Sequence, residues 1–282
     1  MMARIPTRSR RQAMDWSLAL ISQGIESTIE YSEELGWALM VADEQHALAE
    51  ETIQRYRTEN RGWRWRRQFQ QHVGFNWSAL AWVLLMCVFF WAQNFSPHVQ
   101  SVGLMDSAAV LRGEGWRLIT AVCLHADIGH LAMNVTLGLL LLGLVMSRYG
   151  TGVGLLAAFL SGVGGNLATW MMFPEHRSLG ASGMVMGCLG LLAVQGFTFR
   201  RDPYALKLAL SGLCGGVLLF VLLGVDPRSD VLAHFGGFVT GAILGSLLLL
   251  IPKQLHKTGI NVIAGAIFSI ILIAAWWWAL AG

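Results

Sequence analysis

The chain has 282 residues and a formal net charge of +3; 55% of its residues are hydrophobic and only 13% are charged, about half the ~25% of a soluble domain. Residues 1–75 hold 20 of the 37 charged side chains, and the remaining 207 residues hold 17. These figures exclude a single soluble globule, a disordered chain and a disulfide scaffold, and they point to a short soluble region followed by a polytopic membrane domain.

The N-terminal stretch Met1–Gln12 is basic, but the apolar run behind it, Leu18–Ile21, is too short for a signal-peptide core. The first true span is therefore expected to stay as an anchor. Trp16–Ile25 has helical apolar spacing, Ser27–Tyr31 and Trp37–Ala42 read as strands with a turn near Gly36, and Asp43 is placed to cap a helix running to about Asn60. A small α+β domain follows from that pattern. Arg61, Arg64, Arg66 and Arg67 alternate with Trp63 and Trp65 just before the first span. Basic and indole side chains there anchor a span at the cytoplasmic headgroups. A net charge this small gives no support to a nucleic-acid partner.

Seven segments approach the ~20 apolar residues that a span needs: Trp77–Phe95, Ile128–Met146, Val153–Met172, Ser182–Phe199, Tyr204–Leu223, Val231–Ile251 and Ile260–Ala281. Five of the six prolines (Pro97, Pro174, Pro203, Pro227 and Pro252) fall between them, where a helix can stop. The fourth segment is short and rich in glycine, which suits a buried helix. With a cytoplasmic N-terminal region, the Lys and Arg count is 16 inside against 4 outside, the bias that sets orientation. The second, fourth and sixth spans then start at the outer surface. Glycines spaced by four (Gly183 and Gly187; Gly237, Gly241 and Gly245) let helix backbones approach closely in lipid. Cys87, Cys123, Cys188 and Cys214 lie in or beside apolar segments without metal-ligand spacing, and are read as small core residues.

Polar side chains inside spans are costly and mark candidate sites. His130 and Asn134 open the second span one helical turn apart, Gly180-Ala181-Ser182-Gly183 opens the fourth, and Ala233-His234-Phe235-Gly236-Gly237 lies in the sixth. All three groups fall within about two turns of one surface. Acyl transfer fits this set. A serine hydroxyl needs a base, which a neutral imidazole can supply, and the oxyanion needs preorganised donors. The N–H of Ser182 at a helix N-terminus, His130 and the Asn134 amide are such donors. Gly180 and Gly183 allow a sharp turn and keep bulk from a substrate backbone. Other hydrolytic patterns fit less well. Met184 stands where a Gly-x-Ser-x-Gly elbow has its last glycine. His125 and His130 are five apart with no glutamate between them, against the zinc-protease His-Glu-x-x-His. Asp106, Asp127, Asp202, Asp226 and Asp230 fall in loops or at span ends, away from where an aspartyl dyad would sit. Asp127 and Asp230 read as helix caps, His125 as a structural hydrogen-bonding residue, and Asn166 as an interhelical one.

At these residues the chain resembles the rhomboid family of intramembrane serine proteases. The resemblance runs from about Gly115 to Gly245 and rests on Trp116-Arg117, His130-x-x-x-Asn134, Gly180-x-Ser182-Gly183 and Ala233-His234-x-x-Gly237, in family order. It implies an all-α polytopic bundle of six core transmembrane helices plus one at the C-terminus, with the small α+β domain on the cytoplasmic side. The division it implies is 1–70 for the cytoplasmic domain, 71–251 for the catalytic membrane domain and 252–282 for the additional helix. It also implies Ser182 as nucleophile, His234 as general base in a dyad without a carboxylate, and an oxyanion hole of His130, Asn134 and the Ser182 N–H. Gly180 and Gly183 would border the substrate, and Trp116 and Arg117 would be structural. Met186 stands where many relatives carry an aromatic residue stacked on the histidine; a thioether can pack on an imidazole edge.

The expectation is an endopeptidase in a bacterial inner membrane that cuts single-span membrane proteins near the outer face, with the lipid bilayer and the substrate helix as its partners and neither metal nor cofactor. Two other classes stay open. One is a non-catalytic rhomboid-like protein that binds membrane clients. The other is a transporter, which would place polar residues near the midplane.

Overall fold

The computed structural model of the chain describes residues 2–60, 74–199, 205–225, 230–251 and 254–282. The basic and indole cluster at 61–67 lies outside the described residues, as do Arg200, Arg201, Arg228 and Lys253. Two compact units result, Met1–His72 and Val73–Gly282.

The first unit has five main elements: β1 (Met2–Pro6), α1 (Arg10–Ile21), β2 (Ser27–Ser32), β3 (Gly36–Ala42) and α2 (His46–Glu59). Ser9 starts α1 by accepting from the Gln12 N–H. The sheet is antiparallel in the order β1-β3-β2. Its register puts Ile5, Leu39 and Ile29 across from one another. Ile5, Leu39 and Val41 are buried with Ala13 and Leu20 of α1 and Ala49 and Ile53 of α2. The expected cap differs: Asp43 sits in a 3-10 turn, Asp43–Gln45, and α2 starts after Gln45 without a side-chain cap.

The second unit begins with α3 (Ala79–Phe95), which bends by 113° into α4 (Pro97–Gly103). Proline at the first position of α4 suits a helix start, where no N–H is needed. Short elements follow: β4 (Met105–Asp106), α5 (Ser107–Leu111) and α6 (Arg117–Thr120). Arg117 fastens them. Its Nη1 donates to the carbonyls of Ser101 and Leu104, both at 2.9 Å, and its Nε to Glu114 at 2.7 Å. Trp116 Nε1 donates to the Val102 carbonyl at 3.3 Å.

The remaining helices are α7 (Ile128–Tyr149), α8 (Thr151–Met172), α9 (Ser182–Ala193), α10 (Ala205–Gly224), α11 (Val231–Leu248) and α12 (Thr258–Ala281), with β5 (Arg177–Ser178) ahead of α9. Among the described residues, α7, α8, α11 and α12 are long and apolar enough to cross a membrane, and the bent α3–α4 pair passes the same test. The chain is thus a polytopic, all-α membrane bundle with a small strand-containing N-terminal unit. The fourth span is shorter than the sequence suggests, because α9 ends at Ala193 and continues as a 3-10 turn to Phe199. Cys123 and Cys188 are buried, but Cys87 and Cys214 lie on the surface, so only two of the four cysteines are core residues.

Helix α9 is the centre, with ten of its twelve residues buried. It lies directly against α11 through glycine. A Cβ on Gly237 would stand 2.1 Å from the Gly183 carbonyl oxygen, and one on Gly241 the same distance from that of Gly187. Only bare backbone fits at this separation, so the small residues at spacing four set the helix distance. At the other end of the bundle Asn261 of α12 reaches α8. Its Oδ1 accepts from Gly152 and Val153 N–H at 2.9 and 3.2 Å, and its Nδ2 donates to the Leu255 and Lys257 carbonyls. The residue before α8 is Gly150, at φ +91 and with no side chain to cap.

Candidate active site

The N-termini of α7, α9 and α11 carry the polar groups. Asp127 caps α7, accepting from the His130 N–H at 2.8 Å, and Asp230 caps α11, accepting from the Ala233 N–H at 2.9 Å. Both aspartates are thereby committed to helix starts. The chain turns into α9 through Gly180 at φ +142, a conformation that side chains rarely adopt. Its N–H is held by the Ala121 carbonyl at 3.0 Å.

That turn brings Ser182 and His130 to one place. A Cβ on Gly180 would stand 2.8 Å from His130 Cε1, 2.9 Å from its Nε2 and 3.6 Å from Ser182 Oγ. The absent side chain at 180 is the room that the imidazole and the hydroxyl share. Ser182 is half-buried as the first residue of α9. At that position its N–H has no intrahelical acceptor.

His234 reaches the same region from α11. Gly183, the residue after Ser182, abuts Ala233, the residue before His234: a Cβ on Gly183 would stand 3.4 Å from the Ala233 carbonyl oxygen. His234 is 4% exposed. Its Nδ1 lies 2.8 Å from the Gly224 carbonyl oxygen at the end of α10. A carbonyl only accepts, so Nδ1 carries a proton, and in the neutral ring Nε2 is the nitrogen with the lone pair. Among the described residues, Nε2 is buried without a hydrogen-bond partner. The structure therefore does not join Ser182 to His234 by a hydrogen bond. It leaves the nitrogen that would act as base unengaged among the described residues, and catalytic contacts of this kind are often loose before substrate binds.

Asn134 is 4% exposed, and its Nδ2 donates to the His130 carbonyl at 2.9 Å. One of its two amide hydrogens is thus used within α7, and the other remains available. Met186 is buried, and its Sδ would stand 3.2 Å from a Cβ on Gly224. The thioether so packs against the residue whose carbonyl holds His234.

One polar residue near the site behaves differently from its expected role. The His125 ring nitrogens lie buried without a hydrogen-bond partner, a looser contact with the Cys123 main chain aside. Its structural bonds come from the main chain, where the His125 N–H donates to Gln93 Oε1 at 3.0 Å and its carbonyl accepts from Gln93 Nε2. The His125 ring meets the His130 ring edge-on, with centroids 5.3 Å apart. Asn166 makes the expected interhelical bond, to a loop-borne short helix: its Nδ2 donates to the Leu118 carbonyl of α6 at 2.8 Å. The Gly224 carbonyl is a site group that sequence reasoning missed, since any residue type supplies one.

The family model of the Rhomboid domain matches residues 112–251. RHOMBOID-like protein 4 of Arabidopsis thaliana is 39% identical over 161 residues, covering 56% of this chain and 40% of the relative. The mitochondrial RHOMBOID-like protein 6 of the same plant is 34% identical over 163 residues, covering 56% of this chain and 52% of the relative. Rhomboid protease GluP of Bacillus subtilis is 34% identical over 151 residues, covering 51% of this chain and 29% of the relative. The matches to the two plant proteins thus span about half of those relatives' length, and the match to the bacterial protease spans less.

Proposed function

The chain belongs to the rhomboid family, and from that premise we propose that it is an intramembrane serine endopeptidase with Ser182 as nucleophile and His234 as general base. One observation carries the reading. The bond from His234 Nδ1 to the Gly224 carbonyl leaves the buried Nε2 without a partner among the described residues, and so available as the base. The proton transfer requires Ser182 Oγ to come within hydrogen-bond reach of His234 Nε2.

The steps follow from those positions. His234 Nε2 takes the Ser182 proton as Oγ attacks the scissile carbonyl carbon. The resulting imidazolium keeps its Nδ1–H on the Gly224 carbonyl, whose dipole stabilises the positive charge. The oxyanion is met by the Ser182 N–H, by His130 and by the free Asn134 amide hydrogen, in a site that lipid and helices keep at low dielectric. The tetrahedral species collapses, the C–N bond breaks, and Nε2–H protonates the leaving amine. Water then enters by the same base and releases the acyl group from Ser182. Gly180 and Gly183 leave room for the substrate backbone.

The substrate is a single-span membrane protein that enters from the bilayer. A helical substrate shields its carbonyls, so it must unwind near the cut, and Gly or Pro there lowers that cost by ~1–3 kcal/mol each. With the arginine-rich N-terminal region inside, the site opens to the outer side of a bacterial inner membrane. In this reading 1–70 is the cytoplasmic domain, 71–251 the catalytic domain and 252–282 the additional helix. The missing Ser182–His234 hydrogen bond is the one feature that favours a client-binding protein without activity.

A fluorophosphonate probe and a tagged single-span reporter in proteoliposomes separate the two. Labelling and cleavage by wild type, with both lost in Ser182→Ala and cleavage lost in His234→Ala, support the protease. Equal labelling of wild type and Ser182→Ala refutes the role of Ser182.

A further inference from the structure

The loop that leads into Ser182 carries two adjacent side chains that grip different parts of the unit. Arg177 Nε lies 3.1 Å from Asp106 Oδ2, and the two residues also pair across the β4–β5 ladder. His176 Nε2 lies 2.8 Å from Asp230 Oδ2. Both aspartates are helix caps. Asp106 Oδ1 accepts from the Ala109 N–H of α5 at 3.0 Å, and Asp230 Oδ1 accepts from the Ala233 N–H of α11. Each carboxylate gives one oxygen to its own helix and the other to the loop.

The two grips differ in strength. The Arg177 side chain is 66% exposed, and such a pair contributes little. His176 and Asp230 are 32% and 13% exposed, so their bond is better shielded. Asp230 is also approached by Thr169 Oγ1, at 3.4 and 3.5 Å. One turn further along α11, the His234 N–H donates to the Asp230 carbonyl at 3.0 Å. A short path of bonds thus joins the segment before Ser182 to the turn that carries His234. Below that level α9 and α11 meet through glycine backbone.

We infer that His176 is a positioning residue for the reaction: it ties the loop before Ser182 to the cap of the helix bearing His234, and so holds the hydroxyl and the imidazole in register. Its ring bonds to the Asp230 carboxylate, not to Ser182 or His234. The inference rests on the protease reading above.

Three proteins in proteoliposomes test it: wild type, His176→Phe and His176→Gln. Phenylalanine keeps a ring beside Phe173 but cannot donate to Asp230; glutamine can donate. Fluorophosphonate labelling of Ser182 and kcat on the reporter are expected to fall about tenfold in His176→Phe, with KM within about twofold of wild type. His176→Gln is expected to recover most of both. Hydrogen exchange over 174–181 and the first turn of α11 is expected to rise in His176→Phe and return in His176→Gln. Wild-type labelling by His176→Phe, or a His176→Gln as slow as His176→Phe, overturns the inference. If His176→Phe does not fold, His176→Asn, too short to reach Asp230, takes its place with the same expectations. If wild type itself does not label, the protease reading fails, and the tether is judged by exchange alone: unchanged protection in His176→Phe then refutes it.

Discussion

His234 and Gly224 are joined by a single hydrogen bond of 2.8 Å from an imidazole nitrogen to a main-chain carbonyl, and that bond fixes which nitrogen is free to take a proton. A carboxylate would do the same with a full charge. Here the orienting group is a neutral dipole at the end of a helix, which suits a buried position where an extra charge would cost several kcal/mol to desolvate.

The carbonyl cannot be mutated, but its position can. A Cβ at Gly224 would stand 3.0 Å from the Phe220 ring and 3.2 Å from Met186 Sδ. Gly224→Val should displace the carbonyl and lower kcat about tenfold, as loss of one orienting hydrogen bond would. Adding Met186→Ala should restore part of that rate by clearing space. Steady-state cleavage of the reporter by the single and double variants measures both effects.

Met186→Tyr, which would place an aromatic ring four residues after Ser182, is expected to cost stability. Met186 is 2% exposed and already in contact with the Gly224 site, so the larger ring must push the end of α10 outward, at about 1–3 kcal/mol. Met186→Leu should stay within about 1.5 kcal/mol of wild type. Thermal unfolding in detergent distinguishes the two.

Asn134→Ala removes one donor from the proposed oxyanion site. A fall in kcat of about 10²-fold is expected, with KM little changed. Because Asn134 also donates to the His130 carbonyl, Asn134→Ser is the informative companion. Its hydroxyl can donate to that carbonyl but is too short to replace the amide, so its kcat should remain low.

Gly237→Ala is the harshest small change available at the α9–α11 contact. The new methyl would lie 2.1 Å from the Gly183 carbonyl oxygen, a backbone atom that cannot swing aside. A loss of more than about 3 kcal/mol of stability, or failure to accumulate in the membrane, is expected. Gly259→Ala, where nothing lies within 4 Å, is the control and should be neutral.

Low pH should weaken the fold through His125. Burial, reinforced by the neighbouring His130, lowers this imidazole from 6.5 to about 4. Between those values the unfolded chain binds a proton that the folded chain refuses, so stability falls as pH drops from about 6.5 toward about 4. His125→Leu should flatten that slope. Unfolding midpoints across the range provide the check, and an unchanged slope in the variant would assign the effect elsewhere.

The parts of this site that were legible in the sequence are those where one side chain does one job in a setting that tolerates few others. Ser182, His234, His130 and Asn134 stand out because hydroxyl, imidazole and amide groups are costly in apolar spans. The glycines at spacing four marked close helix packing, and the structure shows the partners to be α9 and α11. What escaped was supplied by the main chain or by distant pairing. The Gly224 carbonyl has no signature in any residue type. Strand β1 contains Arg4 and Pro6 and becomes a strand only by pairing with β3 some thirty-five residues away. His176 sits in a polar loop with no motif, and only the fold brings it to Asp230. Pro97 marked a helix break after Phe95, but neither the 113° bend nor the bonds from Arg117 to the Ser101 and Leu104 carbonyls beyond it could be read from the residues.

The amide of Asn261 gives the last helix a role beyond lengthening the bundle. It supplies α8 with the cap that Gly150 lacks, so the start of the third span is completed by a residue more than a hundred positions later. A chain cut short before this residue would therefore lose more than a peripheral cylinder: the first turn of an interior helix, far along the chain from the cut, would be left with bare amides facing the membrane boundary.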